Sequence, residues 1–198
     1  MHKAAIIIVN FNTHTLTLNT LHSLMHHCDL SQCQIIVVDN GSEVDDYLAL
    51  KKQIETIQTP IELYRNRINT GFSGGNMFGV QFAQADHYVF LNSDVLFEND
   101  CITPMITYLK NHPKVSVVGC QSKDEKGVFY KSFDYKISFI NEILPNSIVH
   151  KINPNRFLNR KKQFVTPTKV DAVPGSLFVV NAKDFDELGG LDTNIFLY

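Results

Sequence analysis

The sequence lacks the features that mark membrane, nucleic-acid-binding and disulfide-stabilised proteins. None of its apolar runs approaches the ~18 to 20 residues of a membrane span. Its 18 lysines and arginines nearly balance 20 aspartates and glutamates, so the net charge of -2 gives no reason to expect nucleic acid as a partner. It has no internal repeat and no low-complexity tract. A hydrophobic content of 44% is that of an ordinary globular protein.

Cysteine is scarce, and four cysteines do not resemble a disulfide framework in a chain of 198 residues. Cys28 and Cys33 follow His26-His27, so a zinc site is an alternative, but no second Cys or His pair follows at the spacing of a zinc finger. We therefore expect reduced, partly buried thiols in a cytoplasmic protein. The first apolar run, residues 4–9, is too short for a secretory signal and is expected to form a strand.

A basic cluster at residues 156–162 interrupts the even distribution of charge. It predicts either a solvated loop or a surface for an anionic acceptor or a membrane. The second interpretation would allow peripheral association with the inner face of the membrane.

Apolar runs and helical patterns alternate along the chain. They predict strands at residues 4–9, 34–38, 61–64, 88–91 and 115–119, with helices at 13–25, 42–57, 71–85 and 100–111. Farther along, they predict a hairpin of 128–130 with 133–135, a strand within 170–180 and a helix at 182–188. This order predicts an α/β fold with a mainly parallel sheet and helices on both faces. Such sheets bind ligands beyond the carboxyl ends of their strands.

Polar residues follow the buried strand at residues 89–91. Asn92 and Asp94 lie at i and i+2, so on extended backbone their side chains point the same way. A carboxylate in an apolar setting has to be paired, hydrogen-bonded or bound to a cation. Because Mg²⁺ and Mn²⁺ sites often combine one or two carboxylates with substrate phosphates, Asp94 is a candidate metal ligand.

Two further features flank the same predicted edge. Asp39 ends a strand before Asn40-Gly41-Ser42, so it either accepts hydrogen bonds from a base or ribose or caps the next turn. Residues 69–79 contain four glycines and open a predicted helix, whose N-terminus can attract phosphate. Arg65 and Arg67 precede this stretch and are expected either to pair with a diphosphate or to be solvated. No Gly-Lys-Ser/Thr is present, so the stretch is not a P-loop.

Several short motifs occur in a fixed order. They are Val9-Asn10-Phe11-Asn12, Val37-Val38-Asp39-Asn40-Gly41-Ser42, Asn69-x-Gly71-Phe72-x-x-Gly75-Asn76-x-x-Gly79, Leu91-Asn92-Ser93-Asp94, and Leu188-Gly189-Gly190-Leu191-Asp192 with Phe196-Leu197-Tyr198. Together they resemble the motifs of family 2 glycosyltransferases of the GT-A fold, in the rhamnosyltransferase-like bacterial subgroup. The resemblance spans residues 6–198. It implies a single catalytic domain, with residues 1–120 as the nucleotide-sugar half and 121–198 as a partial acceptor half.

The resemblance also implies roles for matching positions. Donor binding falls to Val9, Asn10, Asn12, Asp39, Asn69, Gly71, Gly75, Asn76, Asn92, Ser93 and Asp94. Asp94 matches the metal-binding aspartate, with Mg²⁺ or Mn²⁺ as the cofactor, while Asn92 replaces the first aspartate of the family's Asp-x-Asp. The acceptor side falls to Pro174, Gly175, Ser176 and Asp192, although Pro174-Gly175-Ser176 is equally typical of a β-bulge.

The resemblance places the catalytic base beyond Tyr198, in an acidic pair that this chain does not include. We expect a shortened protein that binds donor better than it turns over. The leading hypothesis is an inverting glycosyltransferase that moves a sugar from a UDP- or dTDP-sugar to a glycan or lipid-linked acceptor. The alternative is a nucleotide-sugar-binding domain without catalysis. A nucleotidylyltransferase ranks third, because residues 8–15 lack a glycine-rich loop with Arg and Lys.

Overall fold

A computed structural model describes residues 2–124, 126–129, 132–134 and 162–196. Strands and helices alternate along most of the chain. They are β1 Ala4–Asn10, α1 His14–His27, β2 Cys33–Asn40, α2 Val44–Ile54, β3 Glu62–Asn66, α3 Gly71–Val80, β4 His87–Asn92, α4 Ile102–Asn111, β5 Val117–Gly119, β6 Leu177–Asn181 and α5 Ala182–Glu187.

The strands form one six-stranded sheet in the order β3-β2-β1-β4-β6-β5. β1 pairs in parallel with β2 and β4, and β2 pairs in parallel with β3, whereas β6 runs antiparallel to β4. The expected α/β fold with a mainly parallel sheet is confirmed. Because β1, β2 and β4 are parallel neighbours, their carboxyl ends meet at one edge of the sheet.

The core is the centre of this sheet. Residues 4–8 of β1 and 34–40 of β2 are buried throughout, as expected for strands that are covered on both faces. α3 packs closely on these strands, since a Cβ added at Gly79 would lie 2.6 Å from Ile7 Cγ2. Among the described residues, none of the helices combines the length and apolarity required to cross a bilayer.

Two predicted helices differ from the observed ones. α3 ends at Val80 and not near residue 85, because Gln34 binds the next backbone segment: its amide donates to Phe82 O and accepts from Gln84 N. α2 begins at Val44 with Glu43 as its N-cap residue, two residues after the predicted start at residue 42. The Ser42 hydroxyl does not cap this helix but accepts hydrogen bonds from Asn10 at the end of β1 and from Asn12 in the loop that follows.

Two compact units are present: the described residues of 1–118 with 175–196 form one, and those of 119–174 form the other. In the second unit Phe129 pairs with Lys123. The predicted pairing of 128–130 with 133–135 is therefore wrong for Phe129, because Asp124 Oδ1 accepts from Lys126 N and Val128 N and closes a tighter turn. Tyr130, Tyr135 and residues 156–161 of the basic cluster lie outside the described residues.

Candidate functional site

The site is built on the carboxyl ends of three parallel strands. In the register of the sheet, Asn10 lies opposite Asp39, and Val9 lies opposite both Val38 and Asn92. Residues that are far apart in sequence therefore meet at one edge, as the alternation of elements predicted. At this edge the polar residues at the strand ends face two different environments.

Asn10 is a buried hydrogen-bonding centre at the end of β1. Its amide nitrogen lies 3.0 to 3.1 Å from three side-chain oxygens, those of Asp39, Ser42 and Asp46. An amide nitrogen has two hydrogens, so the three acceptors share them. The amide oxygen accepts from Thr17 Oγ1 at 2.8 Å and Thr13 Oγ1 at 3.3 Å. With hydroxyl donors on one side and carboxylates on the other, the orientation of the amide is fixed.

Asp39 is fully buried at the end of β2. Its Oδ1 accepts from Asn10, while Oδ2 lies 3.1 Å from Arg65 Nε in an ion pair. The N–H is not aligned with that oxygen, so within the described part of the chain Asp39 Oδ2 is a buried acceptor without a hydrogen bond. A further N–H or O–H donor is what this oxygen requires.

Arg65 is held over Asp39 by two other contacts. Its Nη2 donates to Ser42 O at 2.8 Å, and its guanidinium lies 4.1 Å from the centre of the Tyr47 ring. The predicted alternatives for Arg65 were pairing with a diphosphate or solvation. The structure instead shows an arginine that covers the Asp39 carboxylate and neutralises it, with 33% of the side chain still exposed.

Asp46 on α2 closes the other side of the Asn10 centre. Its Oδ1 lies 2.6 Å from His14 Nδ1, and its Oδ2 accepts from Asn10. Burial alone raises the pKa of this carboxyl, but hydrogen bonds from Asn10 and His14, with the nearby His14 charge, outweigh burial and lower the pKa overall. Asp46 is therefore an anion across the neutral range.

Asn40 is a second centre, buried beside Asp39. Its amide nitrogen donates to Asn69 Oδ1 at 2.9 Å and to Gly71 O at 3.1 Å. Its oxygen accepts from Asn66 Nδ2 and from both N and Oγ1 of Thr70. This one side chain ties the end of β2 to the loop before α3 and to the first residue of that helix.

Other predicted donor residues lie in the supporting structure at this edge. Asn12 adopts a positive φ of 55° and accepts from Glu43 N at 2.8 Å, which bonds the β1 loop to the start of α2. Asn76 is buried and donates within α3 to Phe72 O. Gly75 packs on the sheet, where an added Cβ would lie 2.8 Å from Val9 Cγ1. Their predicted contacts with a donor stay predictions.

The end of β4 is different. Asn92 N donates to Ser176 O at 2.9 Å, and Ser93 Oγ lies 3.3 Å from Thr13 Oγ1. Asp94 is exposed, and within the described part of the chain it makes neither a hydrogen bond nor an ion pair. Its carboxylate is therefore open to a ligand.

The oxygens at this end suit a hard divalent cation. Carboxylate, amide and hydroxyl oxygens of residues 92–94 are the ligand types that Mg²⁺ and Mn²⁺ take. One carboxylate is too few for a site made of protein alone, and no group of three His, Cys, Asp or Glu able to hold a metal occurs among the described residues. The residues fit a metal that is shared with the phosphates of a ligand.

The predicted acceptor residues lie in different parts of the fold. Gly175 and Ser176 lead into β6, and the Ser176 carbonyl is bound to Asn92, whereas Pro174 ends the unit of residues 119–174. Asp192 is exposed and accepts from both N and Nδ2 of Asn194 at 3.0 Å, which makes it the first residue of a local turn. Leu197 and Tyr198 lie outside the described residues.

The cysteines take no part in this site. All four are partly buried and none forms a disulfide: Cys28, Cys33, Cys101 and Cys120. Burial, reinforced by nearby carboxylates, raises the pKa of Cys28 to about 12 and that of Cys33 to about 11, so both are neutral thiols. Because residues 26–33 are all described and belong to no three-ligand cluster, the zinc alternative has no support from the structure.

Several residues that organise this edge were not predicted from the sequence: Asn40, Ser42, Thr70, Asp46 and Thr17. A signal existed for Asn40, since a polar residue directly after a buried strand must find partners. Asp46 and Thr17 carried no such signal, because either would serve as an ordinary residue of a solvated helix.

The fold and the site together define a class of protein. A mainly parallel sheet with polar residues gathered at its carboxyl edge is the arrangement in which α/β proteins bind their ligands. The model of the family "Glycosyl transferase family 2" matches residues 5–189. The chain belongs to glycosyl transferase family 2.

Curated relatives include polypeptide N-acetylgalactosaminyltransferase 11 of Xenopus tropicalis, 25% identical over 98% of this chain. The uncharacterized glycosyltransferase YfnE of Bacillus subtilis is 31% identical over 67% of this chain. In both comparisons the match covers 33% of the relative, so the chain spans about a third of the length of these relatives.

Solved structures share the fold. The mannosyltransferase PcManGT of Pyrobaculum calidifontis, in complex with GDP-Man and Mn²⁺, has a TM-score of 0.67 at 16% identity and covers 98% of this chain and 48% of its own. GalNAc-T7 with UDP, GalNAc and Mn²⁺ has a TM-score of 0.69 at 14% identity, and the match covers 100% of this chain and 38% of that chain. These likenesses bear out the GT-A fold.

Proposed function

We propose that this chain binds a nucleotide sugar at the carboxyl edge of its sheet as the donor half of an inverting glycosyltransferase. The observation that carries the proposal is the presence of two carboxylates at one edge of the sheet, at the ends of the two strands that flank β1. Among the described residues, Asp39 has a buried oxygen that accepts no hydrogen bond, and Asp94 has an exposed carboxylate without a partner. A nucleotide sugar offers an N–H at its base and a metal-binding diphosphate at its other end.

Asp39 is proposed to bind the base of the donor through a hydrogen bond. Uracil and thymine carry an N3–H that can donate to Asp39 Oδ2, which supports a UDP- or dTDP-sugar; guanine in a GDP-sugar offers N1–H. Because Arg65 covers this oxygen, the guanidinium has to move from Asp39 as the base enters. A third of the Arg65 side chain is exposed, so the guanidinium can move towards solvent.

Asp94 is proposed to hold Mg²⁺ or Mn²⁺ together with the donor diphosphate, with Asn92 and Ser93 beside it. When bound, the metal would offset the negative charge that develops on the departing nucleoside diphosphate. The protein's contribution is then to fix the donor between the base at β2 and the diphosphate at β4. The Asn10 centre connects these two strand ends through Thr13, whose hydroxyl donates to Asn10 Oδ1 and lies 3.3 Å from Ser93 Oγ.

Transfer itself requires an acceptor hydroxyl on the far side of the sugar. In the proposed reaction its oxygen bonds to the anomeric carbon, the bond to the diphosphate breaks, and a carboxylate takes the hydroxyl proton. The family resemblance places that base beyond Tyr198. We propose a glycan or lipid-linked acceptor, and a cytoplasmic protein at or near the inner face of the membrane.

A non-catalytic nucleotide-sugar-binding domain is the second candidate. It is favoured by Asp192, the carboxylate of the acceptor segment, which binds its own turn. Measured turnover separates the two functions.

The test is nucleotide release from a panel of UDP-GalNAc, dTDP-rhamnose and GDP-mannose, each with Mn²⁺ or with EDTA. The proposal predicts Mn²⁺-dependent release that Asp94→Asn lowers by tenfold or more, as for a lost transition-state contact of about 1.4 kcal/mol. Asp45→Asn, an exposed carboxylate of α2, is the matched control. Binding without release supports the second candidate, and no binding of any donor contradicts both. The anomeric configuration of the product, read by NMR, tests inversion.

A further inference from the structure

Residues 190–196, here called the 190–196 segment, lie along helix α3 and meet it at two points. We propose that Gly71 is a positioning residue that seats this segment at the donor edge of the sheet. The inference rests on the proposed function, because the segment contains Asp192 of the predicted acceptor side. It assigns to Gly71 a role other than the phosphate cradle that its glycine-rich surroundings predicted.

The first contact is at the N-terminus of α3. Phe72 N donates to Phe196 O at 3.1 Å. Gly71 has a φ of +72°, and an added Cβ would lie 2.4 Å from Phe196 O and 2.8 Å from Phe196 Cα. These are backbone atoms, so they cannot yield by a rotamer change. A residue with a side chain at position 71 would therefore displace the segment.

The second contact is one and a half turns farther along the helix. Leu191 N lies 3.3 Å from Met77 Sδ, and an added Cβ at Gly190 would lie 2.5 Å from Met77 Cε. Gly190 also has a positive φ, +80°. Here the neighbour is the far end of a flexible side chain, so this contact can adjust. Of the two contacts, the one at Gly71 is the rigid one.

The two contacts give the segment a direction. Gly71 and Met77 are six residues apart, roughly 9 Å along the helix axis. The segment therefore runs antiparallel to α3, from Met77 towards the N-terminus of the helix. That end is bonded to the donor edge, since the carbonyl of Gly71 accepts from Asn40 at the end of β2. Gly71 thus contacts both the donor edge and the acceptor segment.

The first N–H groups of α3 are already used within the chain. Gly71 N donates to Asn69 Oδ1 at 2.9 Å, and Phe72 N donates to Phe196 O. A phosphate at this helix end would have to displace both acceptors. The geometry therefore favours binding of the 190–196 segment at this helix end over binding of the donor diphosphate. The two roles predict different results when Gly71 is replaced.

The experiment compares Gly71→Ala with Gly127→Ala. Gly127 has the same left-handed φ, +74°, but open space where a Cβ would stand, so it controls for backbone strain alone. Hydrogen exchange at the Phe72 and Leu191 amides is measured by NMR, with UDP affinity by calorimetry in Mn²⁺ and UDP release from UDP-GalNAc. Phe196→Ala, at a half-exposed position, is a second variant that keeps the fold.

We expect Gly71→Ala to speed exchange of Phe72 about tenfold and to lower UDP release by a similar factor, with UDP affinity within about twofold. Phe196→Ala should act in the same direction by about threefold, and Gly127→Ala should change none of these. Unchanged Phe72 exchange in both test variants overturns the proposal. A loss of UDP affinity in Gly71→Ala as large as the loss of UDP release also overturns it, because this result would place Gly71 in the diphosphate site. A wild-type chain that binds no nucleotide contradicts the proposed function. The exchange rates would still show whether Gly71 positions the 190–196 segment.

Discussion

The ends of β2 and β4 lie at the same edge of the sheet, yet they are built in opposite ways. At the end of β2, Asp39 and Asn40 are buried, and nearly all of their polar atoms are bonded within the chain. At the end of β4, Asp94 is exposed, and among the described residues it has no partner. The β2 end is mainly framework, with Asp39 Oδ2 as the oxygen that the proposed function leaves for the base, whereas the carboxylate at the β4 end is open to a ligand.

This contrast predicts that the two strand ends respond differently to substitution. A buried polar group that loses its partners costs free energy at once, so the β2 end should be sensitive to substitution even without ligand. An exposed carboxylate with no partner contributes nothing to the fold, so the β4 end should matter only when a ligand is present. Stability and binding measurements can therefore test the two ends independently.

The largest expected effect on stability is that of Asn40→Ala. The substitution removes a side chain that bonds Asn66, Asn69, Thr70 and Gly71, and it takes one partner from the buried Gly71 carbonyl and from three half-buried side chains. We expect the free energy of unfolding to fall by about 3 to 5 kcal/mol in urea titration. Asn99→Ala, at an exposed position, should change it by less than about 0.5 kcal/mol. Equal effects of the two substitutions would show that the Asn40 centre is not part of the framework.

Gly79→Ala tests how closely α3 packs behind the β2 end. The new methyl would lie 2.6 Å from Ile7 Cγ2 and 3.1 Å from Val38 Cγ2, both in the buried sheet. We expect a loss of about 1 to 3 kcal/mol from overpacking, measured by urea unfolding. In an open helix the same change would gain about 1 kcal/mol. A gain in stability would therefore contradict the close packing of α3 on β1 and β2.

A smaller effect is expected from the pH dependence of the Asn10 centre. The pKa of Asp46 is lowered in the folded chain, because its hydrogen bonds and the His14 charge outweigh burial. Its contribution to stability is therefore complete above the unfolded pKa of about 3.9 and disappears as the pH falls through the lower folded value. Asp46→Asn should cost about 1 kcal/mol at pH 7 and flatten the fall in stability below pH ~4.

The control for this substitution is Asp45→Asn, in the same first turn of α2 but exposed. It removes the same favourable charge at the helix N-terminus without touching Asn10 or His14. If both variants show the same acid slope, the helix end and not the Asn10 centre is responsible for the pH dependence.

Much of the fold could be predicted from the sequence because apolar periodicity and strand-end polarity are local signals. The runs that became β1, β2 and β4 are continuous and buried, and their polar ends follow directly. The end of α3 could not be predicted, because it depends on Gln34, whose side chain reaches Phe82 from another strand. The same holds for Ser42, which looks like a helix cap and is used by Asn10 instead.

The position of the site residues at the strand ends could be predicted from the sequence, whereas their contacts within the chain could not. Asp39 and Asp94 were singled out from those positions and Asn10 from the family resemblance, and their contacts with a donor stay predictions. Nothing in the sequence indicated that Arg65 would cover Asp39, or that Phe196 would bond to the start of α3. Both contacts join residues distant in sequence, and only the packed structure brings them together.

The central claim is that the open carboxylate of Asp94 joins a metal to a nucleotide diphosphate, while the β2 end supplies framework and, through Asp39 Oδ2, the contact with the base. The direct measurement is calorimetric titration of UDP into the wild-type chain and Asp94→Asn, each with and without Mn²⁺. The account predicts that Mn²⁺ tightens UDP binding at least tenfold, about 1.4 kcal/mol, in the wild type and not in Asp94→Asn, with equal stability of the two chains. An undiminished Mn²⁺ effect in Asp94→Asn would contradict it.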